Sequence, residues 1–120
     1  MLASKYNIVV EAGATYRKKI TWKNSNRIPV NLTGCTARMQ VRKTVNSDVV
    51  LLLLTTENGG INIVGVSGTI EIVILDNQTD DLSNGVYDLE IIHPLGDNQT
   101  RNDVTRLLYG SVTVSPSVTR

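Results

Sequence analysis

Cys35 and His93 are the only cysteine and the only histidine of the 120-residue sequence. They are also the side chains best suited to chemistry near neutral pH, a thiol for nucleophilic attack and an imidazole for proton transfer. Neither sits in a sequence context that activates it. Cys35 follows Gly34 at the start of an alternating run, with no flanking charge or helix start to lower its pKa, which marks it as a small core residue. His93 precedes Pro94 at the end of another run and reads as a turn or rim residue. Enzymatic chemistry needs a base beside a nucleophile, or a metal cage, and the spacing offers neither. Asp76, Asp80 and Asp81 form an acidic stretch that could hold calcium, yet it lacks the alternating ligands and the glycine of a calcium loop. No Gly-rich phosphate cradle and no nucleophile elbow is present. The reading is of a protein that is not an enzyme and has no cofactor or metal.

Binding chemistries are equally sparse. Arg17, Lys18, Lys19, Lys23 and Arg27 could touch phosphates, but the formal net charge is only +1 and no base-stacking aromatics are interleaved, so no nucleic acid is expected. A sugar platform needs exposed aromatics, whereas Trp22 and Tyr87 are better used in a core. No apolar run approaches the length of a membrane span, and Met1–Asn7 lacks the order of a signal peptide. Asn31, Asn77 and Asn98 therefore match the glycosylation pattern by chance. One cysteine excludes an internal disulfide and fits assembly in a reducing cytoplasm.

The elements that position these residues are strands. A hydrophobic content of 41% with 19% charged residues is that of one folded domain over residues 1–120. With one Trp, four Tyr and no Phe, Val, Ile and Leu must build its core. Period-two alternation dominates, and no sustained helical stripe competes with it. Strands are predicted at 8–10, 16–23 (Tyr16, Ile20 and Trp22 on one face), 35–42 (Ala37, Met39 and Val41 inward), 49–54, 61–63, 68–75 (Ile70, Ile72 and Ile74 together), 85–92 (Tyr87, Leu89 and Ile91 inward) and 104–114. Turns are expected at 24–29 and 94–99, and Asn58-Gly-Gly60 is a hairpin signal. A single helical turn is predicted over 76–82, with Asp76 or Thr79 as its cap. Seven to eight short strands at this spacing define an all-β antiparallel sandwich.

Two further patterns bear on surfaces. Residues 1–60 carry nine Lys/Arg against three Asp/Glu, while residues 61–120 carry three against eight. Basic early strands lying beside acidic late ones would explain this internally, with Arg38 and Arg42 facing Asp88 and Glu90. A bipolar surface docking copies head to tail is the other reading. Val49–Leu54 is wholly apolar, so half of its side chains must be covered by a connection or by another subunit.

Ser83-Asn-Gly-Val-Tyr87-Asp-Leu89 resembles the corner entering strand F of immunoglobulin-like domains, with Tyr87 as the corner tyrosine and Leu89 where antibody domains carry cysteine. Trp22 would be the central core aromatic. Asn31-Leu-Thr-Gly34, Ala37–Arg42, Gly68-Thr-Ile-Glu-Ile72, Gly85–Glu90, Val104–Val114 and Val118-Thr-Arg120 together resemble the small immunoglobulin-like β-domains of structural proteins in tailed bacteriophages, notably cyanophage-like phages. The resemblance spans most of residues 16–120. It implies a non-enzymatic virion component, assembled in the host cytoplasm, acting through other virion proteins and homo-oligomeric copies. Its implied station is a tail, baseplate or fibre-attachment adaptor; a capsid decoration protein or a carbohydrate-binding adhesin are the alternatives. Expected subunit contacts are Lys5 and Arg120 in termini that have no core assignment, and whichever of Leu52 and Leu53 faces outward.

Overall fold

In β4 (Thr36–Arg42) Ala37, Met39 and Val41 are buried while Arg38 is exposed and Gln40 and Arg42 are half-buried. Alternation thus decides which side chains enter the core. β8 (Gly85–Pro94) repeats the pattern with Tyr87, Leu89 and Ile91 inside. The structure is a computed structural model that describes residues 3–94 and 102–119. Most of the turn expected at 94–99, together with Asn98 and Arg120, lies outside the described residues.

The remaining strands are β1 (Ser4–Lys5), β2 (Ile8–Glu11), β3 (Tyr16–Thr21), β5 (Val50–Thr55), β6 (Ile61–Val64), β7 (Thr69–Ile74) and β9 (Asn102–Ser115). The larger sheet runs β1-β9-β8-β4-β5 with β2 also on β9, and the smaller runs β3-β7-β6. Lettering β3, β4, β6, β7, β8 and β9 as B, C, D, E, F and G gives B-E-D in one sheet and G-F-C in the other. That is the immunoglobulin-like arrangement, with β5 added beyond C. The fold is therefore an all-β sandwich of this kind. It departs from pure antiparallel pairing at β1 and β2, which run parallel to β9.

Both sheets contribute to one apolar cluster, which includes Ile8, Val10, Met39, Leu54, Ile70, Ile72, Leu89 and Ile91. Two bulges add to it. Register skips Leu51 between β4 and β5 and Leu107 between β8 and β9, so the consecutive leucines 51/52 and 107/108 all pack toward the core. Gly85 is required by close approach, since a Cβ there would collide with the Arg42 carbonyl.

Four expectations need correction. Trp22 is only half-buried, packed at the margin of the cluster, because it follows the last residue of β3, where the sheet gives way to a connection. Asn58-Gly-Gly60 forms a turn with Gly59 at φ 81°, but β5 and β6 belong to different sheets, so the turn crosses the sandwich instead of closing a hairpin. The helix α1 (Asp76–Asp81) has Leu75 at its N-cap, its N–H donating to Gln78 Oε1, and neither Asp76 nor Thr79 caps it. Thr79 is instead buried, accepting from Gly13 N–H at 3.1 Å and donating to the Ala14 carbonyl at 2.8 Å, which pins α1 to the β2–β3 turn. Finally, the N-terminal segment is tied down within the chain. Tyr6 N–H donates to the Tyr109 carbonyl and Ser111 N–H to Asn7 Oδ1, so residues 3–7 have a structural assignment the sequence does not reveal.

Candidate functional site

The outer face of the larger sheet gathers most of the charged side chains that strand alternation turns outward. Arg38 stands opposite Glu90 in the β4–β8 register and binds it at 2.7 Å. Asp88 is bound by Arg106 of β9 at 3.4 Å. The ladder expected from sequence is thus present through Arg38, but Arg42 does not join it. Arg42 stands opposite Val86, and its guanidinium donates to Gln40 Oε1 at 2.8 and 3.3 Å and to the Ser47 carbonyl at 2.6 Å. It thereby ties the β4–β5 connection to the sheet. Lys19 and Glu71 stand opposite each other in the smaller sheet. Basic early strands do lie beside acidic late ones.

Beside the ladder lies a groove of about 460 Å³ whose walls include Lys5, Gln40, Arg42, Val45, Asp88 and Tyr109. A smaller depression of about 220 Å³ between Arg38 and Glu90 shares Gln40 and Asp88 with it. Lys5, expected as a subunit contact, is exposed on this rim. Strand parity is settled by β5: Leu52 is buried at 9% exposure, and Leu53 faces outward at 44%, opposite Gln40.

Tyr87 does not form the expected corner. Its hydroxyl donates at 2.6 Å to the carbonyl of Tyr6, 81 positions away, instead of to its own corner. The bond clamps the bend between β1 and β2, opposite Gly110, where a Cβ would collide with that same Tyr6 carbonyl. Burial pushes the Tyr87 phenol well above its ordinary value, with Tyr16 and Tyr6 nearby adding to the effect. Tyr16 is pushed up to about 12, first by burial and then by Tyr6. Lys18 Nζ lies 4.8 Å from the centre of the Tyr6 ring. Leu89, in the expected cysteine position, is fully buried.

The structure also joins two residues that the sequence leaves apart. Cys35 Sγ lies 3.0 Å from His93 Nδ1, and the His93 ring stands edge-on to Trp22 at 6.1 Å. The cause is register: Thr36 pairs with Ile92, so their neighbours Cys35 and His93 meet at the strand ends. The Sγ and Nδ1 atoms are within hydrogen-bond distance at the sheet margin, and burial raises the Cys35 pKa, which works against the thiolate on which cysteine reactivity depends. Among the described residues, Asp76, Asp80 and Asp81 do not gather into a ligand cluster, and no helix is long and apolar enough to cross a membrane.

No protein-family model matches the sequence, and no curated protein matches it. Similarity appears among solved folds. The chain is similar to the N-terminal domain of phage TP901-1 ORF48, at 12% identity and a TM-score of 0.53, covering 92% of this chain and 85% of that one. It is also matched, at 13% identity and a TM-score of 0.49, with extracellular domains of the voltage-gated sodium channel beta4 subunit, covering 98% and 97% of the two chains. At these identities the likeness to the phage domain concerns the fold alone.

Proposed function

We propose that this chain is a non-enzymatic structural protein of a tailed-phage particle, an adaptor of the tail, baseplate or fibre-attachment apparatus that works through repeated subunit contacts. The observation that carries the reading is a fold shared with a phage protein domain across nearly the whole chain. The strand sequences that resemble phage β-domains support it independently. The chemistry agrees: charged side chains of the larger sheet lie in a cross-strand ladder and beside a groove on its outer face. Such a scaffold offers fixed surfaces, and copies arranged by symmetry multiply weak contacts. Mass spectrometry of purified particles, with gold-labelled antibody to the chain, tests it. Stoichiometric presence at one end of the tail is expected. Absence from intact particles would refute a structural role, and labelling over the head would move the station to the capsid.

A further inference from the structure

We propose that the groove on the outer face of the larger sheet docks the acidic turn α1 of a second copy of this chain. The inference deepens the reading of repeated subunit contacts and rests on it. Lys5 and Arg42 place two positive charges on the groove, and neither is in an ion pair among the described residues. Arg42 is already fixed by Gln40 and Ser47, so its charge is presented in one pose at little further ordering cost. Asp88, the acid on the groove wall, is occupied by Arg106. Val45 at 82% exposure and Tyr109 at 43% add an apolar surface to the same site. The groove therefore calls for a segment that is acidic and carries an apolar side chain.

The chain itself presents one. Asp76, Asp80 and Asp81 are all exposed on α1 and in no ion pair among the described residues, and Leu75 immediately before them is 49% exposed. Thr79 holds this turn rigidly against the β2–β3 connection, so it is displayed outward from a fixed base. Groove and turn are complementary in charge and in apolar content. The contact also explains why basic residues are concentrated in the first half of the sequence and acidic residues in the second beyond what the internal ladders use.

Analytical ultracentrifugation of the full chain across ionic strengths provides the test. Association is expected at low salt, weakened at least about tenfold at high salt because exposed charges are screened. The pair Lys5→Glu/Arg42→Glu and the pair Asp80→Lys/Asp81→Lys should each weaken it at least about tenfold, whereas mixing the two variants should restore it, since each groove, original or reversed, then meets a turn of opposite charge. Circular dichroism verifies folding, and because Arg42→Glu releases the Ser47 contact, Lys5→Glu alone must act in the same direction. A chain that stays monomeric at low salt, variants that associate like the original, or a mixture that fails to recover overturns the proposal. A monomer that is nonetheless found in purified particles would sink this contact while leaving the structural role standing. Charge-dependent association of a chain missing from particles would do the reverse.

Discussion

Replacing Tyr87 by Phe isolates the clamp that holds the N-terminal strand. The substitution keeps the buried ring and removes only the hydroxyl that donates to the Tyr6 carbonyl at 2.6 Å. A lost hydrogen bond costs about 0.5–1.5 kcal/mol, and up to about 3 if the abandoned partner stays dry. The range for a single lost bond gives about 0.5–1.5 kcal/mol, or a fall in Tm of roughly 2–6 °C for a domain of this size. The Tyr6 amide, bonded to the Tyr109 carbonyl, should exchange faster than other sheet amides.

The same phenol makes the difference depend on pH, and the sign follows from its raised folded-state pKa. Below the ordinary value of 10.0 both states keep the proton and the stabilisation is complete. Above it the unfolded chain ionises while the folded chain resists, so the original protein loses stability by about 1.4 kcal/mol per pH unit. The Phe variant has no such phenol at this position, and Tyr16 contributes alike to both proteins. Its deficit should therefore shrink above pH 10 and vanish near about pH 11, as read from urea unfolding at stepped pH. A Phe variant as stable as the original at pH 7, or a deficit unchanged through pH 11, would refute the clamp.

Leu52→Asp should unfold the chain, since an uncompensated buried carboxylate consumes much of a marginal stability of about 5–15 kcal/mol, whereas Leu53→Asp should stay within about 1 kcal/mol; thermal denaturation separates them. A double-mutant cycle on Arg38 and Glu90 should return about 0.2–1 kcal/mol, because Arg38 is half in water, and the coupling should fade with salt. Removing residues 1–6 should destabilise the fold by more than Tyr87→Phe does, as it deletes β1 along with the clamp's acceptor; chemical denaturation that shows the truncated chain unchanged would contradict the parallel pairing. Asn58→Ala should leave the fold standing but promote strand-edge dimers or aggregates, visible by light scattering.

Period two made the sandwich legible, because a side chain either enters the core or does not, and Ala37, Met39, Val41, Tyr87, Leu89 and Ile91 all follow their parity. What parity cannot carry is depth and partnership. Trp22 lies on the correct face yet beyond the strand's end, where less covers it. Leu52 and Leu53 are chemically alike, so only the β4 register distinguishes them. Cys35 and His93 meet through a pairing of distant strands that neither residue encodes. The parallel docking of β1 and β2 has no local signal, and the turn chemistry of Asn58-Gly-Gly60 is the same whether the strands it joins pair or cross between sheets.

Asn58 also shields part of the exposed edge of the larger sheet. β5 is the edge of the larger sheet, uncharged and apolar, and such a strand invites pairing with another. Its outer backbone groups are not free at the C-terminal half. The Asn58 side chain accepts from Thr55 N–H at 2.9 Å and donates to the Leu53 carbonyl at 3.0 Å, taking the two positions a neighbouring strand would use. An incoming strand must displace both bonds before gaining its own. Leu53 and Val50 remain exposed as side chains, so in the proposed assembly a contact along β5 would use its outer face rather than the shielded half of its edge. If the chain is the repeated subunit proposed above, an edge shielded in this way would leave docking to grooves and exposed side chains, where charge sets the orientation, and would oppose the open-ended strand pairing that turns such a subunit into an aggregate.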